Sequence, residues 1–218
     1  MTTAQAILAT LAYHDIFNYP LAQTEIHRYM IGEKISLPSL QKALAGLTDS
    51  KKVQKTGDYY HLRRRSNITA VRKRRRVYSN SKYKKALLFK KILSTIPFIK
   101  LIAITGALSM DNSARDDDID LLIISQRDKL WTTRFVANIL LAPLRRSPNS
   151  PNSADRACLN MFIDESALGL KDKNLYTAHE LAQLKPIYNK DKTYSKLIKS
   201  NLWLYDYLPN WQPMEVES

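Results

Sequence analysis

The sequence predicts a mixed α/β protein in which a sheet-forming core follows a smaller N-terminal domain of helices and a hairpin. Three observations carry this expectation. Apolar runs at 101–105, 121–124 and 158–163 have the length and composition of buried strands. Apolar residues recur at helical spacing in segments between and after those runs, as in 129–144 and 174–188. Residues 3–62, in contrast, offer helix-like stretches followed by a short hairpin around a glycine.

In the first helix Ile7, Leu8, Leu11, Ala12, Ile16 and Phe17 form an apolar stripe, and Asn18-Tyr19-Pro20 ends it. A second helix is expected from Ala22 to Met30. A third runs from Pro38 to Thr48, with proline tolerated in its first turn and Leu40, Ala43, Leu44 and Leu47 facing inward. Lys51 to Lys55 and Tyr59 to Leu62, joined through Thr56-Gly57-Asp58, read as two strands. Helix, helix, helix, hairpin, with Tyr19-Pro20-Leu21 leading into the second helix, resembles a winged helix-turn-helix domain over 1–62. The resemblance implies that the third helix, with Ser39, Gln41 and Lys42 exposed, faces a DNA major groove. A winged helix used for packing or protein contact fits equally, because this domain carries six Lys/Arg against five Asp/Glu and gains little from counterion release.

Residues 63–98 form a basic connector. Positions 63 to 100 hold fourteen Lys/Arg and no acid, whereas positions 101 to 218 hold fourteen Lys/Arg and fifteen acids, so the net charge of +14 comes almost wholly from one segment. Ile68, Ala70, Val71, Ala86, Leu87, Phe89, Ile92 and Leu93 interleave with these cations, which predicts one long or two broken helices ending at Pro97. Such a surface attracts polyanions, and residues 63–91 are the candidate contact for tRNA, DNA or a nucleotide's phosphates.

The core, 99–210, carries the chemistry. After the run ending at Thr105 come Gly106 and a polar interval, and Asp118-Ile119-Asp120 then opens the next run. Alternation along a strand puts Asp118 and Asp120 on one face and Ile119 on the other. Two carboxylates so placed repel each other unless a cation lies between them, and hard oxygen donors suit Mg²⁺ or Mn²⁺. An EF-hand is excluded, because Leu121 stands where glycine is needed and Arg127 where the closing glutamate belongs.

A strand ending in glycine and a small residue, about a dozen residues, then Asp-x-Asp leading a hydrophobic strand resembles the nucleotidyltransferase core of the DNA polymerase beta superfamily, nearest to its minimal members. The resemblance covers roughly 98–165. It implies that the turn at Gly106, Ala107 and Ser109 contacts the triphosphate of an NTP and that Asp118 and Asp120 hold two Mg²⁺. A third carboxylate on a later strand is implied too. Here Asn160 occupies that position in the run 158–163, and Asp164 is the alternative metal ligand on the same face. Ala107 stands where many members have serine. The implied reaction is transfer of a nucleoside monophosphate to an acceptor hydroxyl. Because Asn160 is neutral, a catalytically weak nucleotide- or nucleic-acid-binding regulator is the second expectation. A glycosyltransferase, which also uses Asp-x-Asp, is a third that the nearby glycine turn disfavours.

Other classes find no support. No Walker lysine follows Gly106 and no Gly-x-Ser-x-Gly occurs. Cys158, the only cysteine, permits no intrachain disulfide and reads as a core residue. His179 lies in an apolar helical segment and reads as a buried core or boundary residue. No apolar run approaches the ~18 residues of a membrane span and no signal peptide is evident, so a cytoplasmic protein is expected. Residues 145–157, with their Ser-Pro-Asn repeats, are expected to form a loop. Helices are expected at 174–188 and 193–208, and a frayed polar tail from Pro209.

Overall fold

The computed structural model describes residues 1–146 and 153–216. It is a mixed α+β structure that divides into two compact units. Of the described residues, the first holds 1–74, 173–182 and 203–213, and the second holds 75–146, 153–172, 183–202 and 214–216. This division differs from boundaries drawn on the sequence, since the connector is split and two C-terminal segments return to the N-terminal unit.

In the first unit, helix α1 (Thr3–Asp15) starts from a capping box, in which the Thr2 hydroxyl accepts from the Gln5 N–H and the Thr2 N–H donates to Gln5 Oε1 at 2.8 Å. Strand β1 (Leu21–Ala22), helix α2 (Gln23–Arg28) and helix α3 (Leu37–Asp49) follow. Strands β2 (Val53–Thr56) and β3 (Tyr59–Leu62) make the hairpin, with Gly57 at φ +60° in its turn. The first strand is so short that its sequence shows no alternation, yet it pairs with β3 and gives a three-stranded antiparallel sheet in the order β1-β3-β2. Ile7, Leu11, Leu21, Ile26, Met30, Leu40, Leu44 and Val53 are buried.

The basic connector is one helix, α4 (Asn67–Leu93). Its residues up to Arg74 belong to the first unit and those from Arg75 to the second. Several of its cations are structural. Arg72 donates to both carboxylate oxygens of Glu25 at 2.7 Å and stacks over the rings of Tyr19 and Tyr59, 4.0 and 4.3 Å from their centroids. Arg65, just ahead of the helix, pairs with Asp15 at 2.8 Å. A neutralised 72–76 segment would therefore lose packing as well as charge.

The second unit is built on a four-stranded sheet in the order β6-β5-β4-β7. Strand β4 (Ile99–Ile104) runs antiparallel to β5 (Ile119–Ser125), with a short helix α5 (Gly106–Ser109) between them. Helix α6 (Leu130–Leu140) then supplies the crossover that a parallel pairing requires, and β6 (Ala157–Asp164) lies parallel to β5. Ala86, Phe89 and Leu93 of α4 pack in one apolar cluster with Ile102, Ile104, Leu121, Ile123, Ala137 and Leu141.

The C-terminal expectations need correction. Helix α7 (Leu175–Gln183) stops early, and Lys185–Asn189 is strand β7, antiparallel to β4. Pro186 has no N–H for a helix and is tolerated on a sheet edge. The 193–208 segment is two helices, α8 (Thr193–Lys199) and α9 (Leu204–Tyr207). Asn201 lies between them, fully buried, and its amide donates to the carbonyls of Leu168 and Leu197 at 2.8 and 2.9 Å. The tail is not frayed at Trp211, which is fully buried and donates its indole N–H to the Ala182 carbonyl at 2.8 Å. His179 is a core residue, stacked on Tyr13 with ring centroids 4.1 Å apart. Of the proline-rich loop, residues 147–152 lie outside the described residues; Arg145 bridges to Ala157 at its flank. Among the described residues no helix is long and apolar enough to cross a membrane.

Candidate functional site

Strand β5 puts Ile119 into the core, where it is fully buried, and leaves Asp118 and Asp120 on the other face. Ligand atoms of Asp118, Asp120 and Cys158 lie within 4.8 Å of one another. The turn at Gly106 closes on this group. Thr105 donates its N–H to the Asp120 carbonyl at 3.0 Å, and a Cβ on Gly106 would stand 2.7 Å from Asp120 Oδ2. Glycine is demanded twice, by that approach and by φ +60°.

The strand register places the remaining expected residues. Asp120 is opposite Cys158 and Leu121 opposite Leu159, but Leu122 is opposite Met161. Asn160 is the extra residue of a bulge, exposed and without a register partner on β5. Asp164 is opposite Ser125, at the far end of the strand pair from Asp120. Its carboxylate accepts from the N–H of Asp128 at 2.9 Å and from the N–H and hydroxyl of Ser166 at 2.9 and 2.6 Å. The register therefore sets Cys158 beside the aspartate pair and Asp164 away from it, while Asn160, expected in the shell, is left without a partner on β5. Strand alternation made Cys158 as eligible as Asn160, since two residues apart they share a face; its residue type obscured the signal.

Ala107 is exposed in the first turn of α5, where N–H groups lack intrahelical acceptors. Ser109 is buried and its hydroxyl donates to the Gly106 carbonyl at 2.7 Å, so it braces the turn instead of presenting itself to a phosphate.

Two side chains missed at the sequence level shape the site. Arg146 pairs with Asp118 at 2.9 Å. Its backbone is tied beside β6, with its N–H donating to the Ala157 carbonyl at 2.8 Å. Lys82 of α4, 1% exposed, donates to the carbonyls of Arg115 and Asp117 at 3.1 and 2.6 Å and to Asp155 at 2.8 Å, pinning the loop that delivers Asp118. Asp117 turns its carboxylate into that loop, accepting from the Ala114 N–H at 2.7 Å. Lys85 adds a second cation to Asp155 at 2.6 Å.

Burial, chiefly, raises the Asp120 carboxyl above the ordinary carboxylate value; the Cys158 thiol that donates to it acts the other way, and the Asp118 charge adds to the rise. Burial, then the neighbouring Asp120, push Cys158 up to about 12, so it is a neutral thiol donor at physiological pH. Two converging carboxylates match the protein share of a Mg²⁺ or Mn²⁺ site, which is ordinarily completed by water and substrate phosphates. The set thus fits a divalent cation on Asp118 and Asp120, with a soft thiol in place of a third acid.

No family model matches the chain, and no curated protein matches it in sequence.

Proposed function

We propose that this site binds a nucleoside triphosphate through a divalent cation and transfers its nucleotidyl group to an acceptor hydroxyl, releasing pyrophosphate. The observation that carries this reading is the convergence of the positive-φ Gly106 turn on the Asp120 carboxylate beside Asp118. Asp118 and Asp120 would hold Mg²⁺ or Mn²⁺, and the exposed turn at Ala107 would offer backbone N–H to phosphate. The bound ion would activate the attacking hydroxyl and neutralise charge on the triphosphate. Cys158 orients Asp120 through its hydrogen bond, and Arg146 offsets the repulsion between the two aspartates. In the N-terminal unit, the element order and three-stranded sheet support a winged-helix reading, with Ser39, Gln41 and Lys42 exposed on α3 for DNA or protein contact.

The test is label transfer from each α-labelled NTP with Mg²⁺ or Mn²⁺, compared with Asp118→Asn/Asp120→Asn. Loss of transfer in the double variant is expected; unchanged transfer would overturn the reading. A second reading, a nucleotide-binding regulator with little turnover, is favoured by Cys158 standing beside Asp120 where a third acid would work. Metal-dependent NTP binding without transfer to nucleic acid, protein or small hydroxyl acceptors would select it.

A further inference from the structure

Beside the aspartate pair a cleft of about 430 Å³ opens between α6 and β6. Arg134, Asn138, Arg145, Arg146, Cys158 and Phe162 line it. It is continuous with the site just described, because Cys158 belongs to both and Arg146 reaches from the cleft to Asp118. We infer that this cleft seats the end of a single-stranded nucleic acid, which is thereby the acceptor; the assignment rests on reading the aspartate pair as a nucleotidyl-transfer site.

Three guanidinium groups converge on one concavity, and among the described residues only Arg146 has a carboxylate partner. Like charges gathered in this way are unfavourable until an anion enters, and the planar guanidinium matches a phosphate's paired oxygens. Arg145 is already held for that role, donating to Asn138 Oδ1, while Asn138 donates its amide to the Arg134 carbonyl at 2.7 Å. Arg134 lies 5.7 Å from the ring centroids of both Trp131 and Phe162. On the same stripe of α6, Trp131 is 75% and Phe135 67% exposed. Arginines for phosphates interleaved with accessible aromatic faces for bases are the two components of sequence-tolerant single-strand binding. Arg76, Lys84 and Lys91 on α4 are further exposed cations of the same unit. An acidic peptide would use the arginines but leave the aromatic faces idle. A duplex would hide the bases those faces need.

The experiment is fluorescence anisotropy with a labelled single-stranded oligonucleotide of about ten bases, in EDTA so that metal chemistry plays no part. The wild type is expected to bind with a steep salt dependence. Arg134→Ala/Arg145→Ala should weaken binding about tenfold or more and reduce the log–log salt slope by about 1.4, two contacts at about 0.7 each. Trp131→Ala should weaken it roughly 5- to 100-fold through lost stacking while leaving the slope unchanged. Asp118→Asn/Asp120→Asn, which frees Arg146 and removes two anions from the edge of the cleft, should bind more tightly than the wild type in EDTA. Absence of binding at low salt, or arginine variants with wild-type affinity and slope, would overturn the inference. A fall in molar mass of Trp131→Ala by light scattering would also overturn it, assigning this face to a second copy of the chain. Oligonucleotide binding lost in the arginine variant without label transfer in any variant would remove the enzymatic reading and keep the cleft. Transfer to a non-nucleic acceptor that the arginine variant performs normally would do the reverse.

Discussion

Gly106→Ala tests the geometry of the site most directly. The new methyl would lie 2.7 Å from Asp120 Oδ2, closer than real Cβ atoms approach, on a backbone at φ +60°. A left-handed conformation costs a non-glycine residue about 1–2 kcal/mol. Relief of the clash requires the Asp120 carboxylate to leave the position it holds beside Asp118. With roughly 2 kcal/mol lost in total, a chain of this size should melt about 4–8 °C lower. Losing the alignment of one of two ligands should weaken Mn²⁺ binding about 10- to 100-fold, as when a ligand's supporting partners are removed. Thermal unfolding and calorimetric Mn²⁺ titration read the two effects separately. Gly57→Ala is the control: it has the same φ of +60° but nothing within 4 Å of the added methyl, so it should lose stability and keep metal affinity. Wild-type Mn²⁺ affinity in Gly106→Ala would refute the argument that this glycine exists to let Asp120 approach.

Three further outcomes are expected. Burial lowers His14 to about 4 and His179 to about 2 from an ordinary 6.5, so the unfolded chain binds protons that the folded one refuses. Stability is then complete above pH 6.5 and falls below it, by roughly 2 kcal/mol per histidine at pH 5; urea midpoints that stay flat from pH 7 to 5 would refute this. Lys82→Met should cost about 3 kcal/mol, chiefly because it orphans the carbonyls of Arg115 and Asp117, while Asp155 loses one of its two cations and keeps Lys85. Lys85→Met, whose cation is 46% exposed, should cost under about 1 kcal/mol in the same melts; equal losses would count against Lys82 as the pin of the loop. Cys158→Asp should lower the melting temperature without metal, because three carboxylates then crowd one another, and should give a larger Mn²⁺-dependent rise than wild type. A metal response no larger than wild type's would show that position 158 does not face the ion.

Much of this arrangement was legible where the physics is local. Apolar residues at helical spacing located α1 and α3, and Ser36 and Pro38 at the start of α3 agree with that reading. Strand alternation placed Asp118 and Asp120 on one side of Ile119, and the isolated glycine ahead of them marked the turn. Local pattern failed where a partner decided the outcome. The segment 185–189 has helix-compatible neighbours and becomes a strand because β4 offers it an open edge. Trp211, in a stretch that reads as a polar tail, is held by burial and by the Ala182 carbonyl. The basic segment reads as one polyanion surface, yet Arg65, Arg72 and Lys82 are committed to carboxylates within the fold.

The sequence by itself determined the α+β class, the aspartate pair and the glycine before it, because each depends on residues a few positions apart. Tertiary structure alone decided what stands third beside that pair. The parallel pairing of β6 with β5 brings Cys158 opposite Asp120, and a bulge removes Asn160 from the register. A single extra residue changes which side chains meet across a strand pair, and whether it is accommodated is settled by packing between strands distant in the chain. The same pairing draws Arg146 to Asp118 and opens the arginine cleft beside it, an arrangement that no spacing in the sequence announces.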